Sequence, residues 1–412
     1  MSLSVNTSQL WLPDGTPVPL AAPLAGATGE GTVYAVHGRA DWAAKVFHAG
    51  LKGLDTKLEK VAAMIESPPP GAVQPDGFIV LTWPTQLLTD GVRPVGFVMP
   101  RIDTSTSVEL HTMSNPSNRM DPMPSAPQWT RRATWGHLVN VASNLCLAVE
   151  SVHLVDGVIG DFQERNILVS DTTRVTLVDC DSMQFTNRAG QRFLCPVGRP
   201  EFTAPELLGR DLSSQPREQQ SDLFALAIHV HQLLMAGNHP FMRGDWTGPG
   251  EQPDALELAR SGEWAGSPQS RLRTHPLAPP VTYLPVDIQQ LFIRAFSLGA
   301  ADPSARPSAA EWRDALSRMQ IGMCPSGTHQ VPARTVRCPW CAIDAERAAR
   351  RAHRTGPVTV RRTPPPRQPA AAQPSQDLIL GMTHSAYLRM LAIVVVGVVI
   401  IAIIAIVVIL SA

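Results

Sequence analysis

Hydrophobic and polar positions alternate in short blocks from about residue 15 to residue 320, with turn residues between apolar runs, as a folded domain requires. The stretches "LAGATGEGTVYAV" and "WAAKVF" read as strands around a glycine-bearing turn. "LDTKLEKVAAMI" places Leu58, Val61, Ala62 and Met64 on roughly one side and predicts a helix. In "VDGVIGDFQERNILV" a polar cluster holding Asp161 and Asn166 lies between two strand-like runs, and "VTLVDCDSMQF" ends a Val/Leu-rich strand with Asp179 and Asp181. Past residue 320 the pattern changes three times. Residues 321–345 form a short Cys/His segment, 346–385 a basic and Pro-rich linker that cannot bury enough surface to fold, and 386–411 an apolar end. The uncharged run from Met390 to Leu410 is 21 residues long, enough at about 1.5 Å per residue to cross a hydrocarbon layer of about 30 Å, so a single transmembrane helix is expected there.

Composition narrows the class. A 44% apolar and 17% charged content over 412 residues is compatible with a sizeable core, and 35 basic against 35 acidic residues give no general reason to expect nucleic acid as a partner. Six cysteines, three of them between Cys324 and Cys341, argue for reduced thiols rather than a secreted disulfide framework. The first residues lack a basic and then apolar leader pattern, so a cleaved signal is not expected. Arg361, Arg362, Arg367 and Arg389 all precede the apolar run, which by the positive-inside rule predicts an inner-membrane protein anchored by its C-terminal helix, with the large part in the cytoplasm.

The polar residues left inside apolar surroundings carry the chemistry. Gly26, Gly29 and Gly31 would let backbone N–H groups approach a phosphate without a Cβ in the way; a flexible hairpin is the plainer alternative. Lys45 sits in an apolar strand, where an unpaired ammonium is costly, so it needs a phosphate and a carboxylate. Glu59 of the predicted helix is the first choice for that carboxylate and Glu66 the second. Asn166 and Asp179 offer the hard oxygen ligands that Mg²⁺ takes; a calcium site or turn chemistry is the alternative for "DCD" alone. Cys324, His329, Cys338 and Cys341, separated by four, eight and two residues, suit tetrahedral Zn²⁺ in a structural site, with a redox Cys-x-x-Cys as the rival.

The order of these parts resembles a protein kinase over roughly residues 20–320, within a domain expected over 15–320. "GRPEFTAPELLG" is similar to the end of a kinase activation segment, with Ala204, Pro205 and Glu206 in its signature. "SDLFALAIHVHQLLMAGNHPF" resembles the long buried helix of the large lobe, with Asp222 as its structural Asp, and Arg306 of "DPSARPSAAEW" matches the Arg that pairs with the signature Glu. "GEGTVY", "ESPPP", "GFVMPRI", "GDFQERN" and "VDCDS" together resemble a bacterial kinase group that often carries a Cys/His knuckle. The resemblance implies an α+β, two-lobed protein-kinase-like fold followed by a zinc knuckle and one transmembrane helix. It implies ATP and Mg²⁺ as cofactors, with Lys45 on the phosphates, Asn166 and Asp179 on the metal, and Asp161 accepting the proton of a Ser or Thr hydroxyl of an unknown protein substrate.

Departures from the pattern define the alternative. Thr28 falls where the middle glycine is usual, Ile159 and Gly160 replace the His-Arg before the catalytic Asp, Gln163 replaces a Lys, and Cys180 and Asp181 replace Phe-Gly. Without an Arg at Gly160, switching by phosphorylation of the activation segment is not expected in the usual way. A pseudokinase scaffold that binds nucleotide or partners without phosphoryl transfer is the competing reading.

Overall fold

The computed structural model describes residues 9–24, 26, 29–354, 378–379 and 382–383. Chain contacts divide the protein into residues 1–354 and 355–412. In the second unit the described residues form a short hairpin, Leu378–Ile379 with Met382–Thr383. No helix among the described residues is long and apolar enough to cross a membrane. The transmembrane helix expected over 386–411, and the inner-membrane placement that rested on it, are corrected accordingly; that run itself lies outside the described residues.

The first unit begins with an antiparallel sheet. Strands β1 (Leu20–Pro23), β2 (Gly31–Val36), β3 (Arg39–Phe47), β4 (Gln86–Thr89) and β5 (Pro94–Pro100) lie in the order β1-β2-β3-β5-β4. Register places Lys45 of β3 opposite Val33 on one side and Phe97 on the other, at the centre of the sheet. Gly31 is required by packing: a Cβ there would lie 2.4 Å from the Val46 carbonyl oxygen. Helix α1 (Leu54–Ile65) covers one face of the sheet, where Leu58 and Val61 pack with Phe47 and Phe97 in a small apolar cluster.

A larger helical region follows. Helix α2 (Trp135–His153) and helix α3 (Gln219–Leu234) run through its core, which also buries Trp264, Phe292, Phe296 and Trp312. Helix α3 is buried almost all round, so that even its polar Asp222, His229 and His231 lie inside and must find partners there. Strands β6 (Val108–Glu109), β7 (Ile167–Val169) and β8 (Val175–Leu177) form a small sheet at the edge of this region. Of the two strand-like runs read around Asp161 and Asn166, the second is β7, whereas the first forms no strand beyond a single bridge from Val158 to Gln184, so the two residues lie in a loop and the hairpin is instead β7 with β8. The short turn Glu164–Asn166 leads directly into β7, which fixes Asn166 at the cleft.

The Cys/His segment folds onto the same unit. A hairpin of Ile321–Met323 with Gln330–Pro332 is followed by helix α4 (Pro339–Arg354). The Gly136 backbone N–H donates to Gln330 Oε1 at 2.9 Å, and Tyr283 and Trp340 meet edge to face at 5.9 Å, so the segment is seated on the helical region. Helix α4 runs past the boundary expected at residue 346. Its "ERAAR" stretch is made of good helix formers, and Glu346 pairs with Arg350 one turn on.

Candidate active site and metal centre

A cleft of about 1200 Å³ between the five-stranded sheet and the β7–β8 hairpin gathers most of the residues singled out above. Lys45, Asp161, Asn166 and Asp179 all line it, together with Gly29, Glu30 and Asp181. Apolar walls come from Leu24, Val33, Ala43, Met99 and Leu168. A concave apolar slot with a few convergent polar groups suits a small ligand with a flat ring and a charged end.

The residues of the loop holding Asp161 are tied to one another. Asp161 Oδ2 accepts from Gln163 Nε2 at 2.7 Å and from Asn166 Nδ2 at 3.1 Å, and the same amide donates to the Asp161 carbonyl at 3.0 Å. With its nitrogen engaged, Asn166 has its amide oxygen to offer a cation. The Val178 N–H donates to the Asn166 backbone carbonyl at 3.0 Å, which holds Asp179 beside the loop. Asp179 has φ 59° and ψ 37° and a side chain 39% exposed to the cleft. Two oxygen donors on one wall of the cleft fit Mg²⁺, which binds few protein oxygens and leaves positions for phosphate and water.

Around Lys45 the arrangement differs from expectation. Its Nζ lies 2.7 Å from Asp179 Oδ1, 2.8 Å from both Asp181 oxygens and 3.7 Å from Glu30 Oε2. Burial alone would lower the Lys45 pKa, but Asp181 and Asp179 outweigh it and hold the amine protonated. Glu59 is exposed on α1, as is Glu66 just past its end, and neither is among the partners of Lys45. The helix instead presents Lys57, whose Nζ is 2.8 Å from Glu30 and 3.2 Å from Asp181. Lys60 beside it is buried; desolvation, then the charge of Lys57, bring its pKa down to about 8. Asp181 is the buried centre of this group: burial would raise its carboxyl, but Lys45 and Lys57 hold it at about 2.

Below the cleft the loop is fixed from the helical region. Asp222 accepts from the backbone N–H groups of Ile159 at 2.7 Å and Gly160 at 3.0 Å, and pairs with His153 at 3.0 Å. Arg217, which the sequence reading passed over, donates to the Gly160 carbonyl at 2.6 Å and to the Val197 carbonyl, joining the loop before Asp161 to the following segment. Arg306 donates to both oxygens of Glu206 at 2.7 Å, with its own side chain fully buried.

The second cluster is the Cys/His segment. One ligand atom each from Cys324, His329, Cys338 and Cys341 lies within 4.8 Å of the others. A hydrogen bond from the Ser326 hydroxyl holds Cys324 well below the usual thiol range, as a cation-binding sulfur requires. His329 turns Nδ1 toward Cys341, 3.4 Å away, and Nε2 toward Asp344, 3.3 Å away. A carboxylate on the far ring nitrogen is the usual support of a metal-bound imidazole. Three thiols and one imidazole converging this closely fit zinc.

Comparison with known proteins bears on this geometry. No family model matches the chain. It is 31% identical over 334 residues to the protein kinase YegI of Escherichia coli K12 and 30% identical over 331 residues to that of strain O157:H7, in each case across 77% of this chain and 48% of the relative. The chain belongs to a bacterial protein-kinase-like family. It spans about half the length of these relatives. A shorter match, 30% identity over 106 residues, links 25% of this kinase-like chain to 5% of the citron rho-interacting kinase of Rattus norvegicus.

Proposed function

We propose that this chain is an ATP- and Mg²⁺-dependent protein kinase that phosphorylates Ser or Thr hydroxyls, in a signalling role, and that its knuckle holds one structural zinc. The observation that carries the reading is the meeting of Lys45 with Asp161, Asn166 and Asp179 in one cleft, although Lys45 is far from the other three in the chain. Lys45, kept charged by its carboxylates, positions the ATP phosphates; the glycine turn at Gly29 and Gly31 covers them, with Gly26 at its start. Asn166 and Asp179 hold Mg²⁺, which when bound neutralises charge on the transferring phosphoryl group. Asp161, oriented by the amides of Gln163 and Asn166, accepts the proton of the attacking hydroxyl.

Two observations favour the pseudokinase reading. Lys45 is bound by Asp179, the residue assigned to the metal, and Gln163 stands where a cation toward the phosphoryl group is usual. Transfer from radiolabelled ATP to a generic protein and to the chain itself separates the two. Wild type should incorporate phosphate, and Asp161→Asn should lower the rate by about 10²- to 10⁴-fold. ATP binding without transfer in the wild type would establish the scaffold reading instead. For the knuckle, elemental analysis of the full chain should find one zinc, absent from Cys338→Ser; a metal-free wild type purified without chelator would refute the site.

A further inference from the structure

The ion pair that should join helix α1 to Lys45 is rebuilt with its signs exchanged. Where the fold was expected to offer a helix carboxylate, α1 offers Lys57, and the carboxylate comes from Asp181, two residues beyond Asp179. Both oxygens of Asp181 lie 2.8 Å from Lys45 Nζ, and Oδ2 is also 3.2 Å from Lys57 Nζ. Lys57 in turn reaches Glu30 of the glycine turn at 2.8 Å. Charges thus alternate from Glu30 to Lys57 to Asp181 to Lys45, linking the turn, the helix, the segment after β8 and the central strand.

We infer that Asp181 is the positioning residue for Lys45, with Lys57 as its tether to helix α1, and that this leaves Asp179 free to serve a cation; the inference rests on the kinase reading above. Exposure and geometry divide the two carboxylates. Asp179 meets Lys45 through one oxygen and is 39% exposed, whereas Asp181 engages Lys45 with both oxygens and is 2% exposed. When Asp179 turns to a metal, Lys45 keeps a full carboxylate partner. Without Asp181, Lys45 and Lys57 would keep only Asp179 and Glu30, each 39% exposed, and α1 would lose its buried electrostatic hold on the strand. The residue is therefore fixed by the two lysines, and it fixes them in return.

The test is a double-mutant cycle in the full chain, read by phosphotransfer kinetics and by calorimetric MgATP affinity, with thermal melts to check folding. Asp181→Asn should lower kcat/KM for ATP about thirtyfold and Lys57→Met about tenfold. The double variant should be no worse than Asp181→Asn alone, because both cut the same chain of charges. Lys57→Glu alone should be more damaging than Lys57→Met, since it sets a third carboxylate beside Glu30 and Asp181. Combining it with Asp181→Gly should return activity to within about tenfold of wild type by restoring a helix carboxylate for Lys45, a rescue that a merely structural role does not give. If Asp181→Asn does not fold, Lys57→Met, at a partly exposed helix position, still carries the test. Wild-type rate and affinity in Lys57→Met, or strictly multiplicative effects in the double variant, would overturn the inference while leaving the kinase reading intact. A wild type that binds MgATP but transfers nothing would overturn the kinase reading, and the pairing would then be decided by the affinities alone.

Discussion

Two ion-paired centres hold this fold, and they are built to opposite ends. In the helical region Arg306 is fully buried and saturated: two oxygens of Glu206 and the carbonyls of Gly299 and Gln220 take up its donors. In the cleft Lys45 is oversupplied, with Asp179, Asp181 and Glu30 all within 3.7 Å of one ammonium. A saturated guanidinium has no reason to change partners. An ammonium with a surplus of carboxylates can release one without being left unpaired, which is what the proposed binding of a metal and a polyphosphate needs.

The sharpest way to break this contrast is to remove one carboxylate from each centre. Glu206→Gln should destabilise the protein by about 3 kcal/mol in urea unfolding, the low end for breaking a buried pair, because Glu206 is partly exposed and Arg306 keeps its carbonyl partners. Asp179→Asn should cost less than about 1 kcal/mol of stability, since Asp181 retains Lys45, yet should weaken Mg²⁺-dependent ATP binding by about tenfold, or about 1.4 kcal/mol. Equal losses of stability in the two variants would show that the cleft carboxylates are as structural as the distant pair. ATP affinity that is the same with chelator as with Mg²⁺ would remove Asp179 and Asn166 from the metal.

Much of this was legible where a pattern is local. The run "LDTKLEKVAAMI" coincides with helix α1, Leu54–Ile65, and the apolar run after Asn166 is strand β7, although the run before Asp161 is a loop with one bridge rather than the first strand of a hairpin. The Cys/His spacing alone was enough to bring four ligands to one point. The partner of Lys45 was not legible by resemblance, because the family pattern supplies a helix carboxylate and this helix has its polarity reversed. Helical spacing did contain the signal: Lys57, Lys60, Val61 and Met64 share a stripe, whereas Glu59 and Glu66 fall on another. A stripe that mixes two lysines with core residues announces buried carboxylates opposite it. Arg217 could not be found this way. Its role depends on bringing the carbonyls of Gly160 and Val197 together across the chain, and backbone acceptors leave no trace in the sequence.

Acid offers a smaller effect that separates the same two centres by pH. His229, His231 and His239 lie in the helical region, and burial pushes their pKa values down to about 4, 3 and 4. Each is held as the neutral ring: His229 Nε2 meets the Phe162 carbonyl at 2.9 Å, His231 Nδ1 that of Asn238 at 2.8 Å, and His239 Nε2 that of Glu201 at 3.0 Å, so the bonded nitrogen is the donor. In the unfolded chain these rings take up a proton near pH 6.5, whereas the folded protein resists it down to about pH 4. Their contribution is therefore complete above about pH 6.5 and is lost as pH falls toward 4, at about 1 kcal/mol per pH unit for each histidine. Asp181, held at about 2, keeps its charge through that whole window. The platform beneath the catalytic loop should thus weaken before the charges of the cleft do, and since His229 carries the Phe162 carbonyl, the loop holding Asp161 is the part of the site that feels it first. Urea unfolding of the wild type should show a lower stability at pH 5.5 than at pH 6.5, and His231→Phe, which sets an apolar ring among Trp264, Phe292 and Phe296, should reduce that difference by about 1 kcal/mol. A difference unchanged in His231→Phe would mean that this ring already takes up its proton in the folded state and that acid acts elsewhere.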